Sequence, residues 1–254
     1  MMPVVFVGHG TPMNAIEDNE YTKGWKEISA AIPKPDAILA ISAHWYTEGT
    51  RLLTTDHPKT IHDFYGFPKE LFDIEYSAPG APNLAHRTME LAGGAAFSDN
   101  TWGIDHGTWS VLRRMYPDAD IPVCQMSIDQ NLSPKESYQL GEKLKSLREK
   151  NILIFGSGNV VHNLGRVDFE AQGGFDWANE FDEYVKSSIE AKDFERVINY
   201  TKAGSCANYA FPTPEHFYPL LYVLGACDEK DKVTVYNNSC TMGSLSMTSY
   251  LFSE

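Results

Sequence analysis

No apolar run in this chain approaches the roughly 18–20 residues that a membrane-spanning helix requires, so a helical span is not expected. The four cysteines, Cys124, Cys206, Cys227 and Cys240, contain no C-x-x-C pair, which removes the zinc-ribbon and dithiol-redox patterns. Neither a G-x-G-x-x-G fingerprint nor a Walker-type lysine is present, and nucleotide binding is a weak competitor. Positive charge is scarce: 21 Lys and Arg stand against 34 Asp and Glu, a formal charge of −13. Such a chain has no overall electrostatic attraction for nucleic acid or an anionic membrane. Linkers, repeats and low-complexity stretches are also missing, so residues 1–254 are expected to form one large domain. Cys124 and Cys227 sit in apolar runs and read as small buried hydrophobes. With no basic segment ahead of the first strand, a soluble cytoplasmic protein is expected.

What is present is a set of short, continuous apolar runs. Val4–Gly8, Ala37–Ala43 and Ile152–Gly158 are rich in β-branched residues without alternation, as in strands buried on both faces of a parallel sheet, and Ile121–Ile128 and Asn151–Phe155 are read as strands. Helical patterns fall between them, over 21–32, 83–91, 107–115, 133–150, 177–191 and 194–200. Ser133-Pro134-Lys135-Glu136 carries an N-cap serine, proline at the first helical position and an acid two residues on, a specific helix start. Pro214 opens a further helix through Leu224, with Thr213 as its expected cap. Strands are expected at 232–236 and 245–252. The alternation predicts an α/β fold, a mostly parallel central sheet with helices on both faces. The long stretch between Trp45 and Pro82 is irregular, and loops of that length are more often functional than decorative.

Histidines fall at the ends of these runs. His9 follows Val4-Val5-Phe6-Val7-Gly8, His44 follows Ala37–Ala43, and His162 comes soon after Ile152–Gly158. The carboxyl ends of parallel strands are where open α/β sheets build their sites, so three imidazoles on one edge suggest a metal centre. Taken singly, each has a plainer reading. His9 between two glycines suits a turn, and His44 beside Trp45 suits a core histidine. The glycine-rich exit before His162 also suits a phosphate cradle. His216, in Pro214-Glu215-His216, falls in a helical first turn, where the dipole favours a neutral imidazole able to ligate. His106, in Asp105-His106-Gly107, is either part of a helix cap or an acid/base group in a tryptophan-walled pocket. His62 lies in the long loop and is expected at a substrate entrance, while His57 and His86 read as surface residues.

These segments together resemble the class III extradiol ring-cleaving dioxygenases, in the DOPA extradiol dioxygenase branch. The resemblance rests on Gly8-His9-Gly10-Thr11-Pro12-Met13-Asn14, Ser42-Ala43-His44-Trp45, Thr60-Ile61-His62-Asp63-Phe64 and Trp102-Gly103-Ile104-Asp105-His106-Gly107. It continues through Gly158-Asn159-Val160-Val161-His162-Asn163-Leu164, Pro212-Thr213-Pro214-Glu215-His216 and the closing Met242-Gly243-Ser244-Leu245-Ser246-Met247, in order along essentially the whole chain. Thr11 stands where members commonly carry serine, and it keeps the hydroxyl. The resemblance implies that His9, His44 and His216 hold a divalent metal. It implies that His162 reaches the same centre, as a fourth ligand or as the acid/base, and that His106 stands near the substrate. Many relatives in the wider family use a carboxylate where His216 stands, so this would be an all-histidine face.

The implied activity inserts both atoms of O2 into a small DOPA-like catechol and opens its ring. Fe2+ is the cofactor expected for activity, and neutral imidazoles suit Zn2+ in a purified sample as well. The expected partners are a small aromatic diol and O2, with no nucleic acid and no membrane; the sequence is silent on oligomeric state. Trp45 and His62 are the residues expected to touch substrate, the other aromatics being core. A zinc hydrolase using metal-bound water, and a non-enzymatic metal-binding relative, are the competing readings. Retention of both His162 and His106 beside the three ligands argues against lost activity.

Overall fold

The computed structural model describes residues 1–94 and 96–254. Its strands are β1 (Val4–Gly8), β2 (Ala37–Thr47), β3 (Thr50–Leu52), β4 (Ala96–Ser98), β5 (Val123–Asp129), β6 (Ile152–Gly158), β7 (Lys232–Tyr236), β8 (Cys240–Thr241), β9 (Leu245–Ser246) and β10 (Ser249–Ser253). Eight of them form one sheet in the order β4-β3-β5-β2-β6-β1-β10-β7, and β8 pairs with β9 alone. The centre, β5-β2-β6-β1, is parallel throughout. Antiparallel pairing enters toward the margins, where β10 joins β1 to β7 and β3 meets β5.

Every residue of β1, β5 and β6 is buried, which explains the apolar character of β1 and of the first half of β6, while β5 also buries Gln125, Ser127 and Asp129. Alternate side chains serve opposite faces. Val4, Phe6, Leu39, Ile41 and Ile154 join one core, while Val5, Val7, Ile38, Ala40 and Phe155 join the other. On the latter face lie α1 (Glu20–Ala31), α2 (Lys69–Phe72) and α4 (His106–Met115), contributing Trp25, Ile28, Leu71, Trp109 and Leu112. The other face is covered by α3 (Pro82–Ala92), α5 (Pro134–Leu144), α6 (Asp176–Glu190), the short α7 (Phe194–Ile198) and α8 (Ala207–Ala210), and α9 (Tyr218–Gly225). The expected α/β architecture, helices on both faces of a mostly parallel sheet, is the observed one.

Ser133 and Glu136 form the expected reciprocal cap at the start of α5. Several elements depart from expectation. The helix from Ser133 does not stay α to Lys150: it tightens into a 3-10 segment over Lys145–Lys150 that ends at Asn151, with φ +58°. The segment from Pro214 is a 3-10 turn, Pro214–His216, followed by α9. Thr213 makes no side-chain cap there, because its hydroxyl donates instead to Glu215 Oε1 at 3.0 Å. The last expected strand is split into β9 and β10, the first too short to join the main sheet.

Candidate metal centre

β1 ends at Gly8, and its continuation hydrogen-bonds to β6 through His9 N and the Gly158 carbonyl at 3.0 Å. This aims the buried His9 ring across the carboxyl edge of the sheet. Its Nδ1 lies 3.0 Å from Ser157 Oγ. The Ser157 hydroxyl donates its one proton to the Gly107 carbonyl, so it accepts from His9 Nδ1–H. The lone pair of His9 is thereby confined to Nε2.

His44 does not end its strand. β2 runs on to Thr47, but between Ile41 and Tyr46 its register on β5 slips: five steps along β2 match two along β5. The bulged segment re-aims His44, a recurrent use of bulges beside sites. His44 Nδ1 sits 3.2 Å from Asp63 Oδ2, and its Nε2 lies 3.2 Å from His9 Nε2. Gly107 makes room for this ring, since a Cβ there would lie 2.7 Å from His44 Cδ2.

Asp63 also accepts from His106, from the backbone N–H at 3.0 Å and from Nδ1 at 2.9 Å. One carboxylate therefore orients two imidazoles, one through each oxygen. Burial alone would raise the Asp63 carboxyl, but its bonds and charge interactions with His106 and His44 hold it down at about 2. His106 is positioned by Asp105, the N-cap of α4. Asp105 accepts from Ser42 Oγ at 2.6 Å, from Trp102 Nε1 at 3.2 Å and from the Gln125 amide. Burial and the Asp63 charge push Asp105 up to about 6 against these donors.

His216 is buried, with Nδ1 at 3.2 Å from Glu215 Oε1 and Nε2 without any hydrogen-bond partner. Its ring centroid lies 5.3 Å from that of His9 and 5.0 Å from that of His44. His162 stacks on it, centroids 3.4 Å apart and planes 4° apart. Burial, ahead of mutual repulsion, keeps His9, His44 and His216 well below the usual imidazole value, and pushes His162 down to about 4. For His216 burial comes first, so the helix dipole expected from sequence is not needed to keep it neutral.

The donor chemistry fits a divalent metal. Two lone-pair nitrogens facing each other at 3.2 Å repel unless a cation lies between them. Two nitrogens each about 2.1 Å from one ion lie roughly 3.0–3.4 Å apart at tetrahedral to octahedral angles. One donor atom each of His9, His44 and His106 lie within 4.8 Å of one another. The partnerless nitrogen of His216 is a further donor.

Above this floor opens a cavity of about 450 Å³, within the roughly 300–1,000 Å³ usual for small-molecule sites. All five histidines named above line it, together with Asp63 and an apolar wall that includes Phe64, Phe67, Leu164, Phe169 and Met242. Two residues expected to touch substrate lie elsewhere. Trp45 is buried in the core and stacks on Trp102, centroids 6.4 Å apart. His62 turns away to donate from Nε2 to the Ile74 carbonyl at 2.9 Å, among Phe64, Phe72 and Trp109. Both are anchored by packing that sequence spacing does not reveal. Conversely, Asp63 lies in the segment Thr60–Phe64, yet nothing in the sequence around it marks it as a site residue. A lone loop aspartate carries no spacing signal, and only the expected importance of the long loop pointed to it. His57 and His86 are exposed, as expected.

Fold and site define a class: an α/β protein with an imidazole-floored, metal-competent cavity at the carboxyl edge of its sheet. Residues 3–253 match the family described as the catalytic LigB subunit of aromatic ring-opening dioxygenase, and the chain belongs to that family. It is similar to a 4,5-DOPA dioxygenase extradiol of Escherichia coli K12, 45% identical over 98% of this chain and 93% of the relative. A relative of the same name from Beta vulgaris is 40% identical over 98% of this chain and 96% of its own length. The crystal structure of an uncharacterized Escherichia coli K12 protein superposes with a TM-score of 0.87 at 40% identity, covering both chains fully. The chain is thus an enzyme of the extradiol ring-cleaving dioxygenase class, a metal-dependent family acting on aromatic compounds. Among the described residues no helix is long and apolar enough to cross a membrane.

Proposed function

We propose that residues 1–254 act as one catalytic domain that inserts both atoms of O2 into a small catechol and opens its ring. In this reading His9, His44 and His216 hold one divalent metal, with Fe2+ the working ion. The observation that carries it is the pair of facing Nε2 atoms of His9 and His44, 3.2 Å apart, beside the buried, partnerless Nε2 of His216. Zn2+ would fill the same donors without supplying redox chemistry.

A bound redox-active metal supplies the electron path between catechol and dioxygen that a spin-forbidden direct reaction lacks. The chain's own residues do the rest. Ser157 and Asp63 fix the tautomers of His9 and His44, so their lone pairs stay on the Nε2 atoms. His162 and His106 line the cavity and serve as proton carriers for the catechol hydroxyls. The apolar wall holds the ring and excludes water. Ring opening with both oxygen atoms retained in the product needs no external reductant. The four free thiols support a reducing, cytoplasmic setting.

Anaerobic reconstitution with Fe2+, addition of a catechol and admission of air test the reading. Yellow ring-fission absorbance with matched O2 uptake in the iron form, absent from a zinc-loaded control, is expected. Silence from a range of catechols at full iron occupancy would refute it.

A further inference from the structure

The DOPA side chain carries a carboxylate and an ammonium, and the cavity lining offers no cation for the former. None of the residues lining it is lysine or arginine. The one charged side chain in its floor is Asp63, an anion whose two oxygens are already taken by His44 and His106. Arg166, on the loop that forms the rim, lays its guanidinium over the Tyr209 ring at 4.6 Å. The apolar part of the lining includes Phe67, Leu164, Val167, Phe169 and Met242, with the hydroxyls of Thr11 and Tyr65 beside it. Two of its members are exposed to a degree unusual for large apolar side chains: Phe169 is 79% and Leu164 61% accessible.

Resting on the dioxygenase reading above, the geometry points to a catechol whose ring substituent is uncharged and apolar as the preferred substrate, ahead of the amino acid DOPA. The diol must face the histidine floor to meet the metal, so the substituent projects along the apolar wall toward Leu164 and Phe169. An alkyl or aryl substituent there removes exposed apolar surface from water on both partners. A carboxylate in the same place loses hydration and meets no cation, only the neutral hydroxyls of Thr11 and Tyr65, which compensate less than a charged partner. The surplus of acidic residues over the whole chain adds a weaker repulsion of the same sign.

The test compares 4-propylcatechol with L-DOPA in two assays on the intact protein. In the iron form, kcat/KM from O2 uptake is expected to favour 4-propylcatechol by about tenfold or more. In the zinc form, which cannot turn over, calorimetric binding is expected to favour it similarly. Leu164→Arg places a cation on the exposed rim and is expected to cut both preferences by about tenfold. Equal or better capture of L-DOPA in both assays, or a preference untouched by Leu164→Arg, would overturn the inference. Failure of the zinc form to bind 4-propylcatechol at all would overturn it too. Absence of ring opening with every catechol, while the zinc form still prefers 4-propylcatechol, would sink the dioxygenase reading and leave the cavity's selectivity standing.

Discussion

His162 lies flat against His216, ring centroids 3.4 Å apart and planes nearly parallel. A face-to-face imidazole pair cannot carry a charge on both rings, and burial lowers the proton affinity of each. The stack means that His162 supports the orientation of His216, the proposed metal donor, in addition to any proton it carries. Replacing it therefore has two separable effects. His162→Phe keeps a flat partner for His216 and removes the proton carrier: turnover is expected to fall roughly 10²–10⁴-fold with metal content unchanged. His162→Ala should lose metal as well as turnover. Metal analysis beside steady-state rates separates the two, and equal metal loss in both variants would contradict the assignment.

In the proposed metal centre, His216 and His106 are the two candidates for the third ligand position beside His9 and His44. His106 is committed to Asp63 through Nδ1 and lies in the metal-competent cluster; His216 has a buried nitrogen with nothing to bind. His216→Ala is expected to weaken metal binding severely, while His106→Ala keeps the metal and loses rate. Competition against a chromophoric chelator reads both. The reverse pattern would move the metal to the His9–His44–His106 set.

Asp63 is expected to control affinity without touching the metal. An asparagine has one acceptor oxygen, so Asp63→Asn leaves either His44 or His106 facing an amide N–H. That ring must then carry its proton on Nε2. A loss of about 10–100-fold in metal affinity is expected, the usual scale for such outer partners. The metal-free melting temperature should fall as well, because the interactions that hold the Asp63 carboxyl at about 2 also stabilise the fold. Unchanged affinity would show that the imidazoles are held by packing alone.

Metal-free protein should lose stability in mild acid. His9, His44 and His216 resist protonation when folded, whereas the unfolded chain takes up protons below about pH 6.5. The unfolded state then binds more protons, and stability falls as pH drops through and below 6.5; above it, these groups have no effect. At pH 5.5 each such histidine costs about 1.4 kcal/mol. Three of them correspond to a melting temperature lower by about 10 °C. Calorimetry between pH 5.5 and 7.5 checks this, and a flat profile would contradict the burial-driven shifts.

Far from the site, Arg148 and Asp231 form a fully buried bidentate pair at 2.7 and 2.8 Å, and Arg148 also donates to the carbonyls of Met2 and Ala226. Arg148→Ala strands a buried carboxylate and two carbonyls, so a loss of about 3–5 kcal/mol is expected. Denaturant unfolding measures it. Activity per folded molecule should be unchanged at low temperature, because the pair lies away from the cavity.

The parallel centre of the sheet was legible in the sequence because burial on both faces leaves a local mark: unbroken apolar runs in Val4–Gly8, Ala37–Ala43 and Ile152–Phe155. His9 and His162 were legible as site residues for the same reason, since the ends of such runs are fixed by the runs themselves. The long loop announced its importance by its length. Contacts between residues far apart in the chain left no such mark. The Asp63 bond to His106 spans 43 positions and the Ser157 bond to His9 spans 148, and no periodicity encodes either. The slip of β2 on β5 that turns His44 inward depends on its neighbour strand, so sequence ends the strand at Ala43 where the sheet carries it to Thr47. Trp45 and His62 carry the composition of a binding wall, yet close packing and one carbonyl take them into the interior. The chain by itself determined the layers, the edge at which the chemistry collects and the family. Tertiary structure alone decided which imidazole nitrogens face one another and which apolar side chains are left to meet a ligand, because both are set by long-range packing.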